Sequence, residues 1–297
     1  MSDYVNPSIE LRARVALEKH RFRNTHSLGQ NFLLSERLIS LLLDDAEVDP
    51  ADNVLEIGPG AGVMTALLAR RAGRVLAVEV DRGLEPVLAD VLAGEDNVHV
   101  VFSDIMKADI RALVNEHFGG EPYRVVANLP YYITADILLR LTSADCPPES
   151  IAIMVQKEAA ERVMSVPGKK QWCALAAELQ FYGSARVLTE VPPEAFDPPP
   201  HVTSAFIRID RWREPPVVPK DVKAFRKLIH AAFAMRRKTL VNNLKPAFGL
   251  SQEAARAVVL AAGLDERVRG EALSLEELNQ VLDAILESGC NLQGFML

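Results

Sequence analysis

The residues best equipped for chemistry are Asn128-Leu129-Pro130-Tyr131, reached at the end of the apolar run Tyr123-Arg124-Val125-Val126-Ala127. Such a run favours a buried strand, and Pro130, with its φ fixed and no N–H, cannot prolong the pairing. The chain is expected to leave a sheet here at a rigid corner that presents an amide, backbone carbonyls and an aromatic ring together. The Asn128 amide oxygen and the Leu129 carbonyl can both accept from one exocyclic amine, while the Tyr131 ring stacks on the heterocycle bearing it. That combination suits the amino group of a purine or pyrimidine. An ordinary proline turn at a strand end uses the same residues, so other positions must decide.

A second set lies upstream. Asn53-Val54-Leu55-Glu56-Ile57 reads as a strand, followed at once by Gly58-Pro59-Gly60-Ala61-Gly62 and a helix over residues 63–71. Glycines between a strand and a helix let a ligand approach the backbone closely. The spacing is G-x-G-x-G, not the dinucleotide fingerprint, and Glu56 just ahead of it suits a cationic or neutral ligand better than a pyrophosphate. The next strand, residues 74–80, carries Glu79 about 20 residues past Gly58, where an acid holds the ribose hydroxyls of an adenosine ligand. A surface glutamate at a strand end is the plainer alternative. A third strand over 98–102 runs into Ser103-Asp104, and the fourth ends on Asn128. Acidic or amide side chains thus close successive strands at the carboxyl edge, where open parallel α/β sheets bind ligands. Asp104 is placed to accept from an adenine amine.

The elements that must hold these positions follow from periodicity. Helices are expected over 134–141, 157–164 and 172–181, and strands over 151–155, 185–191 and 204–209. Gly29-Gln30-Asn31-Phe32-Leu33 is a turn ahead of a helix capped by Ser35. Phe196, beside the stiff run Pro198-Pro199-Pro200, is either a core aromatic or a second stacking surface. Asn6-Pro7 opens a helix to about residue 20, and Arg12, Arg14, Lys19, His20, Arg21 and Arg23 make that arm basic, a candidate phosphate contact. Residues 214–219 form a proline-rich linker. Beyond it come helices only, over 222–233, 238–247, 251–262 and 274–286, the last opened by a Ser274/Glu277 capping box. Arg226, Lys227, His230, Arg236, Arg237, Lys238 and Lys245 form a local cationic cluster there.

Bulk composition narrows the setting. The chain has 297 residues, 49% hydrophobic and 25% charged, with a net charge of −7, which fits an ordinary soluble globular protein and puts any nucleic-acid contact on a local patch. Cys146, Cys173 and Cys290 are far apart and unpaired in spacing, so a reducing compartment and no structural zinc are expected. No apolar run approaches the roughly 20 residues of a membrane span. A cytoplasmic protein is the expectation.

Taken together, Glu56-Ile57-Gly58-Pro59-Gly60-Ala61-Gly62, Asn128-Leu129-Pro130-Tyr131 and Gly29-Gln30-Asn31-Phe32-Leu33 resemble the small-subunit rRNA adenine N6,N6-dimethyltransferases, the KsgA/RsmA family. Gln156-Lys157-Glu158, the Phe196-to-Pro200 run with Val202 and Ser204, and Arg236-Arg237-Lys238-Thr239 extend the likeness over nearly the whole chain, in the family's order. The resemblance implies an α/β fold, with a Rossmann-like class I methyltransferase sheet carrying helices on both faces and a small all-helical C-terminal domain. The division it suggests is an arm and cofactor-contacting turn over 1–34, a methyltransferase domain over 35–212 and a helical RNA- or ribosome-contacting domain over 213–297. It implies S-adenosyl-L-methionine as cofactor, lined by Asn31, Leu33, Gly58, Gly60, Glu79, Asp104 and Asn128. Its implied substrate is two adjacent adenines in the 3′-terminal hairpin loop of 16S rRNA in the 30S particle, each dimethylated at N6 during small-subunit assembly. Asn128 and Leu129 would hold the target amine, Tyr131 and Phe196 would flank the base, and Arg236, Arg237 and Lys238 would meet RNA. A monomer is expected.

Residues 168–173 depart from the family's pattern, and residues 290–297 have no counterpart in it. The rivals are a 23S rRNA or DNA adenine methyltransferase, and an assembly factor without catalysis. The intact Gly58, Gly60, Gly62, Glu79, Asp104 and Asn128 set argues against the last.

Overall fold

The structure, a computed structural model, describes residues 7–23 and 29–288. Asn6, at the expected start of the first helix, and the tail 290–297 lie outside the described residues. The chain starts with α1 (Ile9–Lys19), β1 (Phe32–Leu33) and α2 (Glu36–Asp45). Strands and helices then alternate: β2 (Asn53–Ile57), α3 (Val63–Ala69), β3 (Arg74–Glu79), α4 (Glu85–Val91), β4 (Val98–Phe102), α5 (Ile110–Phe118), β5 (Arg124–Asn128), α6 (Thr134–Ser143) and β6 (Ser150–Gln156). After α7 (Lys157–Val163) and α8 (Ala174–Tyr182) come β7 (Gly183–Val191), β8 (Phe196–Asp197) and β9 (Ser204–Arg211). Four helices follow: α9 (Val222–Ala234), α10 (Leu240–Phe248), α11 (Gln252–Ala261) and α12 (Leu275–Glu287).

The described residues contain a seven-stranded sheet in the order β4-β3-β2-β5-β6-β9-β7. β2 pairs in parallel with both β3 and β5, so the chain winds outward to β4 and then returns to the far side of β2. That reversal is the switch point at which such sheets open a crevice for ligands. All five residues of β2 are buried, Glu56 included. The sheet is mixed, because β9 pairs with β6 antiparallel.

Packing separates two units: residues to Ala160 with Ala185–Arg211, and Glu161–Ser184 with the chain from Trp212. This differs from a cut at the proline linker alone, because Trp172, Ala176 and Ala177 are fully buried in one apolar cluster with Phe225, Leu244 and Leu282. The Trp172 indole N–H also donates to the Leu273 carbonyl at 3.1 Å. In the same unit Arg226 Nη1 meets the buried Glu178 at 2.8 Å, and the expected Ser274/Glu277 capping box opens α12.

The N-terminal arm is part of the first unit rather than separate from it. Ile9, Ala13 and Ala16, one face of α1, are buried in its core, and Ser8 caps the helix by accepting from Leu11 N–H at 3.2 Å. Four of its basic residues have acidic partners: Arg12 with Glu95 at 4.0 Å, Arg14 with Glu10 at 3.1 Å, Lys19 and His20 with Asp90 at 2.7 and 2.8 Å. Hydrogen bonds from Lys19 and His20 hold the Asp90 carboxyl below its usual range.

Candidate active site

A cavity of about 320 Å³ opens at the carboxyl edge of β2, β3, β4 and β5, lined by the glycine loop, the turn Gly29 to Leu33 and the corner after Asn128. Its size fits a nucleoside-scale ligand. Of the residues the sequence singled out for the cofactor, Asn31, Leu33, Gly58, Gly60, Glu79, Asp104 and Asn128 all line it, as do Leu129 and Tyr131.

Each is held by a definable contact. Glu79, 4% exposed, accepts from Val80 and Asp81 N–H at 2.8 Å through one oxygen and from Gly60 N–H at 3.2 Å through the other. Burial raises its pKa, and those three N–H groups pull it part of the way back. The carboxylate is thereby fixed against the glycine loop. Gly60 has a φ of 56°, and a Cβ there would lie 2.9 Å from the Phe32 ring, so only glycine lets the loop pass under that turn. At Gly58 a Cβ would meet nothing within 4 Å, which leaves the backbone open to the cavity. Asp104 uses Oδ1 to accept from Met106 N–H at 2.9 Å.

The corner is equally determined. Asn128 Nδ2 donates to the Asn31 carbonyl at 3.0 Å, which fixes the amide's orientation and leaves Oδ1 to accept. The Tyr131 hydroxyl and Ser204 Oγ are 2.6 Å apart, so β9 pins the ring from its far end; burial raises the phenol's pKa. Thr134 Oγ1 closes the corner by donating to the Pro130 carbonyl at 3.1 Å.

Phe196 does not join this set. It is 4% exposed in the core of the first unit and absent from the cavity lining. β8 pairs with β1, placing Phe196 opposite Leu33, and an apolar ring in that register is drawn into the core instead of standing free to stack on a base. Glu56 and Tyr132 also line the cavity, and neither had been assigned a contact there. Glu56 is 1% exposed, and a carboxyl inside an otherwise apolar strand sequence is the signal for it. Tyr132 is 60% exposed at the cavity, and its place after Tyr131 in the corner could have marked it.

The cationic cluster belongs to the second unit. Arg236 Nη2 donates to the Lys170 carbonyl at 2.8 Å and lies 3.5 Å from Glu271. Arg226 is paired to Glu178, Lys227 sits 5.2 Å over the Phe248 ring, and Lys245 donates to Gln252 at 2.7 Å. Arg237 and Lys238 are exposed in the turn between α9 and α10. Among the described residues no cluster of His, Cys, Asp and Glu is arranged to hold a metal, and no helix is long and apolar enough to cross a membrane.

The cavity lining contains three carboxyls, Glu56, Glu79 and Asp104, and no Lys, Arg or His. Its charge fits a cationic adenosine derivative and opposes a nucleotide phosphate. A family model described as ribosomal RNA adenine dimethylase matches residues 21–286. The chain is 41% identical over 279 residues to ribosomal RNA small subunit methyltransferase A of Alkaliphilus metalliredigens, covering 93% of this chain and 96% of that one. It is 42% identical over 280 residues to the protein of the same name from Streptococcus pneumoniae, covering 93% and 97%. A dimethyladenosine transferase from Plasmodium falciparum shares the fold, with TM-score 0.69, 20% identity and coverage of 86% and 98%. The 23S rRNA methyltransferase ErmE superposes with TM-score 0.63 at 25% identity, covering 86% and 99%. With a sheet-edge cavity of matching charge and a fixed amide at its end, the chain belongs to the ribosomal RNA adenine dimethylase family, enzymes that use S-adenosyl-L-methionine.

Proposed function

We propose that the protein dimethylates N6 of two adjacent adenosines in the 3′-terminal hairpin loop of 16S rRNA. In this reading it acts as a cytoplasmic monomer on the 30S subunit or its precursor and contributes to small-subunit biogenesis. The relatives named as small subunit methyltransferases support the choice of subunit. The observation that carries the chemistry is the Asn128 amide, oriented by its bond to the Asn31 carbonyl.

When bound, S-adenosyl-L-methionine supplies an electrophilic methyl group on a sulfonium. Asp104 accepts from the cofactor's adenine amine and Glu79 takes the ribose hydroxyls. Gly58 and Gly60 give backbone access, and Asn31 and Leu33 close the cavity over it. The target adenine amine is a poor nucleophile, because its lone pair is delocalised into the ring. Asn128 Oδ1 and the Leu129 carbonyl accept its two hydrogens and favour a pyramidal nitrogen with the lone pair aimed along the transfer axis. Tyr131 stacks beneath the flipped base, worth about 1–3 kcal/mol. No strong base is required, since the nitrogen becomes acidic once alkylated. Orientation supplies much of the rate, for which roughly 7–11 kcal/mol is accessible. In the second transfer the amine has one hydrogen fewer, so one of the two acceptors is released. Arg236, Arg237 and Lys238 contact phosphates.

The test gives the protein labelled cofactor with unmethylated 30S particles, 50S particles or duplex DNA, and identifies the product base by mass spectrometry. N6,N6-dimethyladenine in the 30S tube alone is the expected result. Label in the 50S tube would move the substrate to 23S rRNA. Within the 30S assay at saturating cofactor, Asn128→Ala is expected to lower transfer on the order of 10²-fold, the usual cost of removing one pre-oriented polar group, beyond its smaller effect on cofactor binding. Near-normal turnover would remove Asn128 from the mechanism.

A further inference from the structure

The N-terminal arm keeps two basic residues beyond the four that are paired. Arg21 and Arg23 follow α1 and are exposed, and among the described residues neither has an acidic partner. Asp90, beside them, is held by Lys19 and His20. Phe22, between the two arginines, packs against the core of the first unit, its ring centroid 5.9 Å from that of Phe32. A Cβ at Gly83 would lie 3.6 Å from the Phe22 ring. Arg82, next to Gly83, is exposed and stands 5.7 Å over the Phe102 ring. Asp81 beside it is engaged by Gln30 Nε2 and Gly83 N–H at 2.8 and 2.9 Å. Phe32 and Leu84 line the cavity, so Phe22 and the turn Arg82–Leu84 bring three guanidinium groups to its border.

The backbone at Arg21 is a second sign. Arg21 N–H donates to the Glu18 carbonyl at 3.0 Å and Phe22 N–H to that of Leu17 at 2.9 Å, the bond pair that ends a helix in a left-handed residue. That residue is Arg21, with a φ of 50°, where glycine or asparagine is usual and a larger side chain is disfavoured. Backbone strain of this kind gathers where a side chain serves a ligand. The ligand's charge follows from the cavity, whose acidic lining, without Lys, Arg or His, opposes phosphate. A base that leaves its stack to enter brings its flanking phosphates to the mouth, and cations outside the cavity are needed to meet them. We propose that Arg21, Arg23 and Arg82 clamp the RNA backbone beside the target nucleotide, each guanidinium as a fork on a phosphate. The inference rests on RNA as the substrate and is independent of which subunit supplies it.

The experiment measures binding of the full-length protein to oligoadenylate RNA and to unmethylated 30S particles over a range of salt, with cofactor affinity and Tm alongside. Arg21→Gln combined with Arg23→Gln is expected to weaken binding to both RNAs and to lower the slope of log affinity against log salt by roughly 1.4. Arg82→Gln is expected to lower it by about 0.7, one single-strand phosphate contact per arginine. Cofactor affinity is expected to stay unchanged in both. Arg21→Gly is expected to raise Tm while weakening RNA binding, a pairing of signs that a purely structural role would not give. An unchanged slope on both RNAs would overturn the clamp. Weaker binding to the particles with unchanged oligoadenylate binding would assign the patch to a ribosomal protein instead. A lower Tm with unchanged RNA affinity in Arg21→Gly would return that residue to the fold. Wild-type protein that methylates no RNA in the 30S particle would count against the proposed substrate and not against the clamp, which the oligoadenylate series tests by itself.

Discussion

Gly60 and Glu56 show how closely single positions are fixed at this site. A methyl group at Gly60 would overlap the Phe32 ring at 2.9 Å, on a backbone whose φ of 56° already disfavours a side chain by about 1–2 kcal/mol. Gly60→Ala is therefore expected to weaken cofactor binding at least about tenfold, measured by fluorescence or calorimetry, with the circular dichroism spectrum unchanged. Glu56 makes stability depend on pH. Below its ordinary value of 4.5 the carboxyl is protonated in the folded and unfolded chain alike; between 4.5 and about 8 only the unfolded chain ionises. Its contribution is fully present at low pH and is lost as pH rises towards 8, by at most about 1.4 kcal/mol per pH unit. The cofactor-free protein is expected to lose Tm from pH 5 to pH 8 more steeply than Glu56→Gln, and parallel curves would show that Glu56 ionises freely. The motif placed an acid ahead of the glycines. Its burial was not legible, because that follows from β3 and β5 flanking β2, a fact of sheet order. Phe196 was ambiguous for a related reason: its type allowed a core position or a stacking surface, and the pairing with Leu33 places it in the core of the first unit.

Among elements, the central strands were the most legible. β2 and β4 run over Asn53–Ile57 and Val98–Phe102 as their sequences indicate; β2 is buried along its whole length, whereas β4, at the sheet edge, is only partly covered. The segment from Glu161 to Ser184 was not assigned to the helical unit, because residues 165–171 are polar, Gly- and Lys-containing and show no period. What anchors it is Trp172, fully buried and hydrogen-bonded to Leu273, more than a hundred positions away in sequence. Trp172→Ala is expected to destabilise the second unit by about 3–5 kcal/mol. Thermal unfolding should show a transition moved to lower temperature, while the cofactor-induced shift of the first unit is retained. An unmoved transition would mean that the segment contributes nothing to that core.

On the scale of the molecule, the net charge of −7 leaves RNA binding to local groups, and pairing reduces the candidates further. Most cationic residues of the second unit have protein partners, while Arg237 and Lys238 are exposed between α9 and α10. Reversing both charges is expected to weaken 30S binding and to lower the slope of log affinity against log salt by roughly 1.4–1.8, two phosphate contacts. An unchanged slope would make them a solvated face only. The sheet's connectivity also sets a schedule for the growing chain. Its last strand, β9, lies between β6 and β7, and β1, which flanks the cavity, pairs with β8. Leu33 therefore waits for Phe196, on the order of ten to thirty seconds of synthesis at about 5–20 residues per second. Until then the glycine loop and the acids of the sheet edge lack the turn that covers them. A nascent chain thus acquires its cofactor pocket late, after most of the first unit has left the ribosome.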